Sequence, residues 1–176
     1  MFTVTVRGLD EAISRLSRSP NGLDRAIRSA VRRTLRGAKK DAGTKVKQRY
    51  TINAGEVIRT IKLRQSGYSG AMTSSGARNP LKKFNIRPRS RPRKMPPGGV
   101  FAQNVRGQGG MIRRAFLQRS GNVYERVGRP RFPIRHLKGP SAPGMLSSPP
   151  VSSFIVAHMA QRLAINLDHE LAFFLG

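Results

Sequence analysis

The chain has 176 residues, 34 of them Lys or Arg against 8 Asp or Glu, for a formal charge of +26. That length fits one domain, and that charge repels the compact state while drawing polyanions, nucleic acid foremost. With no cysteine there is no disulfide, thiol nucleophile or thiolate metal site, and no apolar run approaches the roughly 20 residues that span a bilayer.

The N-terminal MFTVTVRGLDEA lacks the basic start and apolar core of a signal peptide, which predicts a chain made in the cytoplasm. Phe2, Val4 and Val6 alternate with Thr3, Thr5 and Arg7, the period of a half-buried strand that Gly8 ends. Leu9, Ala12, Ile13 and Leu16 then fall at helical spacing, with Asp10 and Glu11 favourably placed in the first turn. Ser19-Pro20-Asn21-Gly22 interrupts the pattern. A long helix is predicted from Leu23 to Tyr50, with Ile27, Ala30, Val31, Leu35, Ala38, Ala42 and Val46 on one face and mostly Arg and Lys on the other. Gly37 and Gly43 weaken it by up to ~1 kcal/mol each.

Asn53-Ala54-Gly55-Glu56 has the form of a capping box and predicts a short helix through Val57, Ile58 and Ile61. From Gly67 to Gly139 the texture becomes short β-like runs, with strands predicted at 70–75, 100–105, 115–118, 123–127 and 134–137. Pro130, Pro133, Pro140, Pro143, Pro149 and Pro150 make 130–150 an extended crossover segment. A final helix is expected from Val151 to Leu175, with Phe154, Ile155, Met159, Leu163, Leu167, Leu171, Phe174 and Leu175 along a broad apolar face. The fold class is therefore α+β: a long N-terminal helix and a C-terminal helix packed on a mostly antiparallel sheet, with an extended basic loop. Ile27, Val31, Leu35, Phe154, Ile155, Leu163 and Leu167 are the expected core between helices and sheet.

Catalytic chemistry has little material. His158 and His169 share a helical face but stand about 16 Å apart along it, His136 is distant in sequence, and Asp168-His169-Glu170 point in different directions on a helix. No phosphate-binding loop, zinc-protease helix or serine-hydrolase elbow occurs. The glycines of Arg106-Gly107-Gln108-Gly109-Gly110 fit a hairpin turn at least as well as a phosphate cradle. The chain is not expected to be an enzyme or to need a cofactor or metal.

Charge is the informative feature. Between Glu56 and Glu125 there are 15 Lys or Arg and no acidic residue. At its centre, RPRSRPRK (87–94) is stopped by Pro88 and Pro92 from forming a helix or interior strand. Arg87, Arg89, Arg91, Arg93 and Lys94, with Lys82 and Lys83 upstream, form a basic Pro-rich arm over 82–99. The nearest aromatics, Tyr68 and Phe84, are too few for a base-stacking surface. Phosphate contact without sequence choice is what the arm supports.

Several stretches carry a family resemblance: VTVRGLDEAISRL, AIRSAVRRTLRGAKKDA leading into VKQRYTI, NPLKKFNIRPR, AFLQRSGNVYERVGR, and above all PIRHLKGPSAPGML (133–146) ahead of a final helix with LDHEL. In these the chain resembles the minor tail protein Z, or tail completion, family of long-tailed bacteriophages, and more distantly the small head–tail joining proteins. RPRSRPRK and the MPPGG after it depart from the family pattern. The resemblance implies an α+β virion protein, made in the host bacterial cytoplasm, that completes the head-proximal end of the tail. By the symmetry of tails it implies assembly in a ring or ring-associated form, expected to be hexameric, beside the tail terminator or an adjacent neck ring and with double-stranded DNA in the lumen. The lack of a long apolar run predicts no membrane partner. Six copies at +26 each would gather 156 formal positive charges, which calls for an anion nearby.

Two other readings compete: a free, non-sequence-specific nucleic-acid-binding protein, and a structural plug whose cations meet only protein. Within 130–150, Pro140, Pro143, Met145 and Leu146 are expected to dock on a neighbouring subunit. If the five arm cations 87–94 neutralise five phosphates, log affinity for duplex DNA should fall against log salt with a slope near −4.5, about 0.9 per phosphate. Replacing all five by Gln should flatten that slope, and an unchanged slope would remove the arm from the DNA contact.

Overall fold

A computed structural model describes residues 1–6, 20–94 and 96–175. The helix expected over Leu9–Leu16 lies outside these residues. Strand β1 (Phe2–Val6) is followed by helix α1 (Pro20–Arg49), α2 (Ala54–Ile58), β2 (Ile61–Ser66), β3 (Ser69–Ser74) and β4 (Arg78–Pro80). After a tight helical turn at Leu81–Lys83 come β5 (Asn85–Arg87), β6 (Val100–Val105), β7 (Gln108–Ile112), β8 (Ala115–Leu117), β9 (Val123–Arg126), β10 (Ile134–His136) and β11 (Lys138–Ser141). Helices α3 (Ala142–Leu146) and α4 (Pro149–Leu175) complete an α+β chain.

Helix α1 forms where the apolar period predicts it. Ile27, Val31, Leu35, Ala38, Ala42, Val46 and Tyr50 are buried at three- and four-residue spacing, while Arg25, Arg32, Arg36, Lys40 and Lys47 face outward. It begins at Pro20, three residues before the expected start. A first-turn proline loses nothing there, because its missing N–H would have no helical partner.

Helix α4 runs antiparallel along α1. Val151, Ile155 and Met159 are buried in the seam, and Leu163 and Leu167 pack at its edge. Polar side chains continue the pairing: Arg162 grips both carboxylate oxygens of Asp41, with Nη2 3.0 Å from Oδ1. Asn166 donates to Thr34 at 3.0 Å, and Ser29 donates to Glu170 at 3.0 Å. The two glycines that weaken α1 have a purpose here. A Cβ on Gly37 would lie 3.0 Å from Arg162 Cδ, and one on Gly43 would lie 2.5 Å from the Ile58 side chain of α2.

The sheet is not single. All pairing is antiparallel, but it is divided among β1-β3-β2, β5-β6-β7, β8-β9-β10 and the pair β4-β11. Pro80 and Pro88 cut the strands short by removing ladder N–H groups, so no broad platform forms. Helix α1 lies on β2 and β3, whereas α4 packs chiefly on α1. Two hydrophobic cores result. The larger joins α1, α3, α4 and the β1–β3 sheet; the smaller gathers Leu81, Ile86, Val100, Ala115, Leu117 and Val123.

Other expectations need correction. Ile61 opens β2 rather than extending the short helix, with Ile61 buried and Leu63 half-buried on one side of the strand. Asn53 caps α2 by accepting from Gly55 N at 3.0 Å, but the Glu56 carboxylate turns to Lys83 and Arg59. Phe154 is only half-buried, lying beneath the Lys45 ammonium 4.6 Å from its ring centre. The 130–150 crossover holds two short strands, β10 and β11, and a helix. Ser141 Oγ accepts from Gly144 N at 3.2 Å and starts α3, which turns its apolar side inward. Met145 and Leu146 are 0% exposed and Pro143 is buried, so the expected docking residues are core of their own subunit. Pro140 is half-buried in β11, where its carbonyl accepts from Asn79 Nδ2 at 3.0 Å.

The seam predicts a clear contrast in α4. Ile155→Ala should lower stability in urea denaturation by about 2–5 kcal/mol. Ile165→Ala, at a site 59% exposed, should stay within about 0.5 kcal/mol of the parent.

Candidate polyanion-binding face

The arm begins as structure and becomes irregular. Lys82 and Lys83 lie in the tight turn at 81–83, and Arg87 ends β5. Beyond it, Pro88 forbids another ladder donor and residues 88–94 follow no regular path. Lys82 Nζ donates to the Ser120 carbonyl at 3.3 Å, and Lys83 pairs with Glu56. Arg87, Arg89, Arg91, Arg93 and Lys94 are exposed and make no ion pair or side-chain hydrogen bond with any described residue. Their charge is not neutralised by any described residue.

These cations do not act as one strip. Lys82, Lys83, Arg87 and Arg89 line a concavity of about 930 Å³ together with Lys47 of α1 and Arg106 from the β6–β7 turn. Arg91 instead belongs to a second hollow of about 710 Å³ with Arg119, Arg126 and Arg131. Arg91 and Arg93 also flank Arg119 in a shallower recess. None of the three is lined by an acidic residue. Sequence reading found the arm but missed Lys47, Arg106, Arg119, Arg126 and Arg131. Their only local signal is charge, which most of the chain shares.

The histidines are scattered. His136 is in β10, stacked on Tyr124 with ring centres 4.8 Å apart. His158 lies against Phe154 at 3.9 Å, its Nδ1 3.9 Å from Asp41, and His169 is exposed. Among the described residues no three His, Asp or Glu side chains stand where they could hold a metal ion. Nor is any described helix long and apolar enough to cross a membrane. The glycines near Arg106 form a hairpin: Gly107 has φ 78°, and Gln108–Ile112 continues as β7.

Burial and the nearby Lys138 and Lys82 hold the His136 pKa below its ordinary value of 6.5. Its Nε2 is buried without a partner among the described residues. The folded chain thus favours the neutral ring, and the unfolded chain takes the proton first as pH falls. The stability that neutral His136 supplies is present above about pH 6.5 and is lost as pH drops through the lower folded value. His136→Phe keeps the stack on Tyr124, and its urea midpoint should fall less than the parent's between about pH 7 and about pH 5. Equal falls would show that His136 does not carry this dependence.

Compared with protein-family models, curated proteins and solved structures, the chain matches none.

Proposed function

We propose that the chain is a structural component of a long-tailed bacteriophage particle that completes the head-proximal end of the tail. In this reading copies form a ring at the head–tail junction beside the tail terminator or a neck ring. Their cationic face turns to the DNA that passes through, or to acidic neighbouring subunits. No catalytic step is assigned. What supports the reading is the resemblance along the sequence, joined to one observation: a face of arginines and lysines in which, among the described residues, Lys83 alone is ion-paired, to Glu56. Such a face is stable in an assembly only where an anion meets it. The α1–α4 pair supports it too, as a rigid subunit from which a loop can project.

A second reading, a free nucleic-acid-binding protein without sequence choice, draws on the same cationic concavities. The two differ in where the protein is found. Phage particles carrying a labelled copy of this chain should show the label at the head–tail junction. A label absent from particles, with the chain recovered on cellular nucleic acid, would overturn the tail reading in favour of the second.

A further inference from the structure

Thr51 lies where α1 has just ended, and it joins the two cores. Its N–H donates to the Asn104 carbonyl at 3.0 Å, and its hydroxyl donates to the Gln103 carbonyl. The same hydroxyl accepts from Asn85 N at 3.0 Å, while Asn85 Nδ2 donates to Gln103 Oε1 at 2.9 Å. Beside it Tyr50 bridges to Val105, and Arg106 N donates to the Arg49 carbonyl at 2.8 Å. Thr51, Asn85 and Gln103 of this network line the larger concavity. Lys47 and Arg106 line it too, joined by a 2.9 Å hydrogen bond from Arg106 Nε to the Lys47 carbonyl. Arg87 and Arg89 complete its cationic lining.

We infer that this concavity is a phosphate-backbone site for nucleic acid, and that the proximal half of the arm serves it rather than acting as a free tether. Lys47, Arg87 and Arg89 have no side-chain partner among the described residues, and Arg106 commits only Nε. Four cations therefore face a hollow of about 930 Å³ that the Asn85 and Gln103 amides also line. Cationic side chains with Asn and Gln belong to the usual phosphate-contacting set, whereas the Thr51 hydroxyl commits its proton to the Gln103 carbonyl. An acidic protein segment would also be drawn to the charge, but a protein interface needs an apolar anchor at its centre. Here Ile52, Phe84 and Ile86 are withdrawn into the cores at 2%, 6% and 3% exposure. With no open aromatic face there is no base stacking, so binding follows the backbone whatever the sequence.

The inference deepens the DNA-facing part of the proposed function and rests on it, not on a location in a particle. The test is fluorescence anisotropy with a labelled duplex of arbitrary sequence, titrated with salt. The variant with Lys47→Gln, Arg87→Gln, Arg89→Gln and Arg106→Gln should bind at least about tenfold more weakly near 0.1 M salt, its slope reduced by about 3.6. Arg91→Gln with Arg93→Gln and Lys94→Gln should weaken binding by less than about threefold, as lost long-range attraction only. Because Arg106 also braces the fold, Arg87→Gln with Arg89→Gln is measured beside them. These side chains bond to no described residue, and the pair should reduce the slope by about 1.8 at unchanged melting temperature. Parent-like binding by this pair, or abolition of binding by the distal set, would overturn the inference. Junction label in particles combined with that result would leave the tail reading standing. Absent label with the expected result would do the reverse.

Discussion

Negative charge is so scarce in this protein that its placement governs the architecture. Among the described residues there are six carboxylates, and five hold ion pairs. Asp41 and Glu170 tie α1 to α4, with Glu170 only 7% exposed. Glu56 holds the 81–83 turn against α2, and Glu125 joins β9 to β10 through Arg135 at 2.7 Å. Asp24 secures Arg28 within α1 at 2.9 Å. The more exposed pairs at Glu56 and Glu125 stabilise by no more than about 1 kcal/mol each. Their placement counts for more than their strength, because they neutralise cations where elements meet. Of the cations elsewhere, Lys39, Arg78, Lys82 and Arg106 donate to backbone carbonyls, while those of the distal arm are left to solvent.

That division of charge shapes the cationic face. Apolar burial and carboxylate clamps hold the α1–α4 side together, and it presents little unpaired charge inward. The β-rich side has a small core of aliphatic side chains and carries the arm. The two sides meet at Tyr50 and Thr51, where the end of a helix about 45 Å long is bonded to a strand roughly fifty residues further on. The same junction closes the fold and brings Lys47 to Arg106.

Periodic elements were legible in the sequence, and those set by tertiary pairing were not. The faces of α1 and α4, and the strands β1 and β6, follow from spacing alone. Val57, Ile58 and Ile61 fit a helix as well as they fit a helix followed by a strand. Only the partner β3, with Leu63 opposite Met72, decides for the strand. Gln108-Gly109-Gly110 has no β preference and is a strand because the Gly107 turn lays it along β6. Pro143 and Gly144 hid α3, since the Ser141 cap offsets what those residues cost. For the candidate site, the arm was plain in the sequence. Lys47 and Arg106 are 59 residues apart, and nothing local could have joined them to it.

The pairing of α1 with α4 also bears on how the chain is made. Residues 20–49 cannot complete their core until residues 149–175 have been synthesised, so the larger core closes late. Contacts this distant in sequence form slowly, because loop closure comes before the gain from burial. Throughout that interval the cationic middle emerges ahead of the helix that completes the fold, among ribosomal and messenger RNA. Met111, Val127 and Phe132 of that middle stay 51%, 62% and 63% exposed even in the folded chain, so the mutual repulsion of its cations is what opposes association while the larger core is still open.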